Sequence, residues 1–341
     1  MVGIPMANGH RPAGLMELLH PALATAPRPD REALSYDLDP AFTAIVRLHA
    51  DVDEHCATAS TLGPEREGAG IVIDENGLIL TVGYIIVEAR DVTISILGRT
   101  EPVVGEAIAY DHESGLGMVR AVDDLDLAPM ALGSARTLVA GDPVVVSGYG
   151  GYSQAIAANV VARQEFAGSW EYMLDNAVFT TPLHPYWGGA ALIGPDGALA
   201  GVGSLYLEEP LGEDGDSRSG NMFVPIDELF PIFDDMVSTG RVSRTPRPWV
   251  GVHVTEAENR LYVTGVTSDG PGDRAGFKPA DAILSVEGVP VDNLPDMYRA
   301  LWAAGEAGAE VRYTVLREDD VITLRVTSGD RYAFLDLPQR H

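Results

Sequence analysis

From residue 41 to residue 205 the chain is a succession of short apolar runs separated by turn residues. In GAGIVIDENGLILTV, residues 68–82, two such runs flank Glu75-Asn76-Gly77. Asn-Gly between apolar runs is a strong hairpin signal, because both residues tolerate the positive φ of a tight turn. Further strands are expected at 92–97, 103–110 and 116–122. About six short strands with regular turns predict a small barrel. A second β-set opens at DPVVVSGYGG, residues 142–151, and continues through 155–165, 172–179, 190–194 and 198–205.

The period then changes. PIDELFPIFDDMVSTGR, residues 225–241, reads as a helix. Asp227 is its expected N-cap, Leu229, Phe230, Phe233 and Val237 its apolar face, and Gly240 its stop. VSRTPRPW, residues 242–249, has linker composition, and a third unit follows over 249–327. Residues before 36 are rich in proline and alanine, with an apolar patch at 15–19, and read as a mobile tail with one helical turn. EEPLGEDGDSRSGN, residues 208–221, is an acidic loop whose spacing does not match a calcium loop, so a solvated loop is expected. The resulting division is a flexible tail at 1–38, a β-rich body at 39–243, a small domain at 244–330 and a C-terminal tail at 331–341.

Composition narrows the function. A length of 341 residues favours two domains, and 46% apolar residues suffice for real cores. The net charge is −27, with Lys278 the only lysine. Such a surface repels phosphate backbones and anionic membranes, so no nucleic-acid partner is expected. Cys56 is the only cysteine, which excludes an intrachain disulfide, and with His55 alone beside it a half-buried thiol is the simpler reading than a metal ligand. No run is long enough to span a membrane, and the N-terminus lacks the basic start and apolar stretch of a leader. The expectation is a cytoplasmic protein, with a periplasmic one as the alternative if a leader has been removed.

The order of blocks resembles the HtrA/Deg serine proteases over residues 40–328. EGAGIVIDENGLILTVGYIIVEA is similar to that family's histidine block, AYDHESGLGMVRA to its aspartate block, and HPYWGGAALIGPDGALAGVGS to its serine block. NMFVPIDELFPIFDDMVSTGRVSR resembles the closing strand and helix. The resemblance implies a mainly β fold, a chymotrypsin-like double β-barrel followed by a PDZ domain. It places Tyr84 at the histidine position, Gly115 at the aspartate position and Gly188 at the nucleophile position. A serine attacks only when a neighbouring base takes its proton, and a tyrosine of pKa about 10 is a poor base at neutral pH. Glycine offers no nucleophile. The amides of Tyr186 and Gly188 would mark a vestigial oxyanion hole. His184 with Glu113, near Asp111 and His112, is the conceivable replacement for activating water. Thr180 and Thr181 carry no mark of activation, and Ser114 lies on the wrong side of such a cleft. Tyr84, Tyr186 and Trp187 either plug the cleft or form an apolar pocket with polar handles.

RPWVGVHV and SDGPGDRAGFKPADAILSVEGVPVDN resemble a PDZ domain, with Ala280 where a turn glycine is usual. In such domains a C-terminal peptide adds as a strand and its carboxylate is held by backbone N–H groups. The resemblance assigns that loop to Trp249, Val250, Gly251 and Val252, with Met297, Leu301 and Arg299 on the facing helix at 295–304. Together these residues predict a catalytically inactive HtrA-like scaffold, adaptor or chaperone that binds C-terminal peptides or unfolded segments. The alternative is a serine-type endopeptidase or other hydrolase with an unconventional or partner-completed site. Neither cofactor nor metal is expected, and a homo-oligomer, a trimer by family analogy, is implied.

Overall fold

A computed structural model describes residues 23–207 and 219–337. The first β-set closes into a barrel: β1 (Ile45–Val52), β2 (Glu65–Val72), β3 (Leu78–Val82), β4 (Ala89–Ser95), β5 (Val103–Tyr110) and β6 (Leu116–Ala121), in the order β1-β2-β3-β6-β5-β4. The β2–β3 hairpin has the register the sequence predicts, with Ile71 opposite Leu80 and Val72 opposite Ile79. Gly77 takes φ +73°, and Asp74 Oδ1 accepts the N–H groups of Asn76 and Leu78. β1 pairs with both β2 and β4, which removes the free edges.

The second barrel runs β7 (Pro143–Ser147), β8 (Ala155–Gly168), β9 (Tyr172–Thr181), β10 (Ala191–Ile193), β11 (Leu199–Leu207) and β12 (Gly220–Pro225), in the order β10-β11-β12-β9-β8-β7. Val144, Val146, Ile156, Val178, Leu192 and Phe223 fill it. Residues 23–38 are not a loose tail, as the sequence led us to expect. Leu23 is buried in this core, Ala157 donates to Pro27 O, and the Arg28 guanidinium donates to Ser153 O and Ala155 O. The apolar patch at 15–19 and most of the acidic loop, 208–218, lie outside the described residues.

The expected helix at 225–241 is broken. Ile226–Glu228 form one 3-10 turn and the α-helix spans Phe233–Thr239, because Pro231 supplies no N–H in between. Leu229, Ile232 and Met236 are its buried stripe, whereas Phe230 is 47% exposed. Asp227 caps no helix; its carboxylate accepts from Ala135 N and Ser134 Oγ, both at 2.7 Å. Gly240 does end the helix, at φ +75°.

A separate compact unit comprises Ser243–Asp336 together with Glu165–Asp175, the tip of the β8–β9 hairpin. Its sheet runs β13 (Val252–Ala257), β14 (Arg260–Val266), β15 (Ala282–Val286), β17 (Glu310–Arg317) and β18 (Asp320–Thr327), with β16 (Val289–Pro290) on β15. A helix over Leu294–Ala303, capped by Asn293, covers it with Met297, Tyr298 and Leu301. Ala280 has φ +72°, the reason a glycine suits that turn. The sequence places a tail from 331. The chain instead forms a helical turn at Arg331–Phe334, and Phe334 packs on Trp249 with ring centres 4.9 Å apart.

Candidate functional site

The turn Gly83–Ile85 carries Tyr84 and is anchored from below by Arg66 of β2. Arg66 is 3% exposed and donates to Tyr84 O, Val87 O, Gly63 O and Thr58 Oγ1. Burial lowers its pKa to about 10, against the pull of Glu88. Gly83 N donates to Gly115 O at 2.7 Å, so positions 83 and 115 adjoin. A Cβ on Gly188 would lie 3.1 Å from Tyr84 Oη. The structure therefore brings positions 84, 115 and 188 to one place. The Tyr84 phenol points at the space a residue-188 side chain would occupy and donates to Ser204 O at 2.8 Å. Gly188 O accepts from Ala69 N at 2.8 Å.

His184 is fully buried, and both ring nitrogens are engaged by backbone. Nε2 lies 2.8 Å from Gln154 O, and Nδ1 accepts from Tyr186 N at 3.1 Å. Burial lowers its pKa to about 4, so the ring is neutral at pH 7 with neither nitrogen left to activate a water. The same bond engages the Tyr186 amide, which corrects the expectation of an oxyanion hole built from Tyr186 and Gly188. Asp111 is buried and accepts from Ser114 N, and Ser114 Oγ accepts from Leu116 N. Thr180 is buried in β9, and Thr181 donates to Ser219 O. Of the three aromatics, Tyr84 brings its hydroxyl to 3.1 Å from where a Cβ on Gly188 would stand, while Trp187 is buried with Leu183 and stacks on Tyr206 at 5.6 Å. Tyr186 lines a cavity of about 310 Å³ together with Arg47, Glu67, Tyr149, Gln154 and Gly188.

The smaller unit holds a second site. Gly251, at φ +76°, turns three successive amides inward. Val250 N lies 3.1 and 3.2 Å from the two carboxylate oxygens of Glu171, Gly251 N 2.6 Å and Val252 N 3.3 Å from Oε1. Trp249 N instead donates to Gly329 O, so three of the four expected loop residues face the carboxylate. The backbone of the hairpin tip continues beside β13: Val254 N donates to Ser169 O at 3.0 Å. Tyr298 Oη, from the helix, donates to Gly168 O at 2.5 Å and accepts from Glu171 N at 3.0 Å. Met297 and Leu301 are 1% exposed, in the core beneath. Arg299 pairs with Glu165, and Arg331 donates to Trp170 O. Burial pushes the Glu171 carboxyl above its usual range, opposed by the amides of Val250, Gly251 and Val252 and by the Arg331 charge.

Sequence reasoning missed Glu171 and Tyr298. The sequence signal was slight: a lone acidic residue beside Trp170 at the turn of a long hairpin, with nothing to tie it to a loop 79 residues away.

The two barrels followed by a sheet-and-helix unit with an amide loop define a trypsin-like domain joined to a PDZ domain. A trypsin-like peptidase domain matches residues 68–202 and a PDZ domain residues 248–327. A probable periplasmic serine endoprotease, DegP-like, of Pseudomonas fulva is 26% identical over 287 residues, covering 78% of this chain and 57% of that protein. The serine protease Do-like HtrA of Bacillus subtilis is 22% identical, covering 85% of this chain and 70% of its own length. The chain thus spans little more than half of the Pseudomonas relative. A variant of the HtrA-type protease AlgW with a tripeptide superposes with a TM-score of 0.50 at 19% identity, over 86% of this chain and 96% of that one. The chain carries a trypsin-like peptidase domain and a PDZ domain, and is homologous to the DegP/HtrA serine proteases.

Proposed function

We propose that this chain is a catalytically inactive HtrA homologue that binds C-terminal or unfolded peptide segments through its PDZ domain, as a scaffold, adaptor or chaperone. The observation that carries the reading is the amide loop: three N–H groups of Val250, Gly251 and Val252 converge on one carboxylate. That is the chemistry a peptide C-terminus requires. Inactivity is supported by the residues at 84 and 188: a phenol reaches toward Gly188, and Gly188 itself carries no side-chain nucleophile. In a comparable protease, losing the triad costs about 10⁶ in turnover.

The names of the relatives favour the periplasmic over the cytoplasmic alternative. No helix among the described residues is long and apolar enough to cross a membrane. A homo-oligomer, trimeric by analogy, is part of the proposal. The second reading is a serine-type endopeptidase, supported by the similarity to serine endoproteases.

Digestion of a reduced, unfolded test protein separates the two. We expect no fragments from the purified chain, and none from Gly188→Ser, because residue 84 offers a phenol and no imidazole to take the serine's proton. Fragments that follow the protein through repurification and vanish with a serine-hydrolase inhibitor would establish the endopeptidase reading.

A further inference from the structure

We propose that the β8–β9 hairpin tip is an internal ligand of the PDZ groove, and that a partner's C-terminal carboxylate binds by displacing Glu171. The inference rests on the peptide-binding reading above and adds the competitor and the chemistry of the ligand. Each part of the tip stands where an incoming peptide would stand. The Glu171 side chain supplies a carboxylate to the amides of Val250, Gly251 and Val252. Ser169 O takes the amide of Val254 on β13, as the backbone of an added strand does. Gly168 O takes the Tyr298 hydroxyl from the helix wall. Ala167 and Met173 pack against the core of the same unit. An external strand ending in a carboxylate cannot occupy the loop at the same time.

The hold is also strained in two respects. Glu171 has φ +57°, which an L residue with a long side chain rarely adopts. Its carboxylate is buried, and only hydrogen bonds from the loop and the nearby Arg331 compensate it. A terminal carboxylate carries its charge on flexible backbone and needs no positive φ. The geometry thus points to an occupant that a better ligand replaces. The tip also specifies that ligand: an extended segment with a small hydroxyl residue and an aromatic residue before its terminal carboxylate, as Ser169 and Trp170 precede the Glu171 carboxylate here.

The test uses the full chain and a labelled peptide, Phe-Ala-Gly-Ser-Trp-Val, with either a free or an amidated C-terminus. If the loop is filled on the order of nine-tenths of the time, apparent affinity is lowered about tenfold. Glu171→Gln should therefore bind the free-acid peptide about tenfold tighter than the wild type. Glu171→Gly, whose residue suits a positive φ, should do the same if the glutamine form folds poorly. The amidated peptide should bind neither, and Gly251→Asp should abolish binding in every background. Hydrogen exchange at Val250–Val252 gives a second readout: the amides should be protected in the wild type and exposed in Glu171→Gly, which has no side-chain acceptor.

Equal peptide affinity in wild type and both variants, with Gly251→Asp still destructive, would overturn the internal ligand while leaving the groove intact. Unprotected amides in the wild type would overturn it as well. Protected amides with no peptide bound by any form would overturn the displacement and the peptide-binding reading together.

Discussion

His184 is a single residue whose surroundings decide its role. The sequence offers it as a candidate base, four positions before Gly188. Burial and two backbone hydrogen bonds make it a neutral structural ring with a pKa of about 4, against an ordinary value of 6.5. The folded pKa is the lower one, so the unfolded chain binds the proton more strongly. The contribution of His184 to stability is thus fully present above pH 6.5 and is lost as pH falls toward 4. A depression of this size corresponds to about 3 kcal/mol across that window. Urea unfolding at pH 7.5 and pH 4.5 should show the loss in the wild type. His184→Gln should start less stable at pH 7.5 and show a flatter slope. Parallel slopes in the two proteins would mean that the ring titrates near its ordinary value.

At the scale of elements, the turn that carries Tyr84 depends on a buried charge network. Arg66 ties Gly63, Tyr84 and Val87 carbonyls together and shares the Thr58 hydroxyl with the Glu88 carboxylate. Arg66→Met should destabilise the protein by about 3–5 kcal/mol, since it strands a buried carboxylate. Adding Glu88→Gln should recover part of the loss, and a purely additive double mutant would show that the two charges do not interact. This network left no trace in the sequence pattern, because Arg66 and Glu88 look like ordinary polar positions beside apolar runs. The strands themselves were legible: β2, β3 and the Asn-Gly turn follow from alternation and turn chemistry alone. The helix after β12 was half legible. Its glycine stop was right, but Pro231 shifted the buried stripe to Leu229, Ile232 and Met236. Positions 84, 115 and 188, which block order singled out, lie close together in the fold. The carboxylate in the amide loop was not found, because Glu171 and Gly251 are joined only by the fold.

For the whole molecule, the net charge of −27 is indifferent to fold but not to encounter. The proposed ligand ends in a carboxylate and must approach through a negative field. Close contacts then set its dissociation, whereas the field acts on its arrival. Residues upstream of the ligand's last few side chains should therefore change the rate of association more than the rate of departure. The prediction uses the Glu171→Gln protein and two probes, Phe-Ala-Gly-Ser-Trp-Val preceded by two lysines or by two glutamates. At low salt the lysine probe should associate about tenfold faster or more, because steering acts over a long screening length. At about 1 M salt, where that length shrinks to ~3 Å, the two rates should converge. Dissociation should stay alike for both probes throughout. Stopped-flow anisotropy measures each rate directly. Rates that differ equally at all salt concentrations would assign the preference to a local contact near Arg299 or Arg331 instead of the molecular field. Equal rates at low salt would mean that the acidic surface lies too far from the groove to act on a ligand at all.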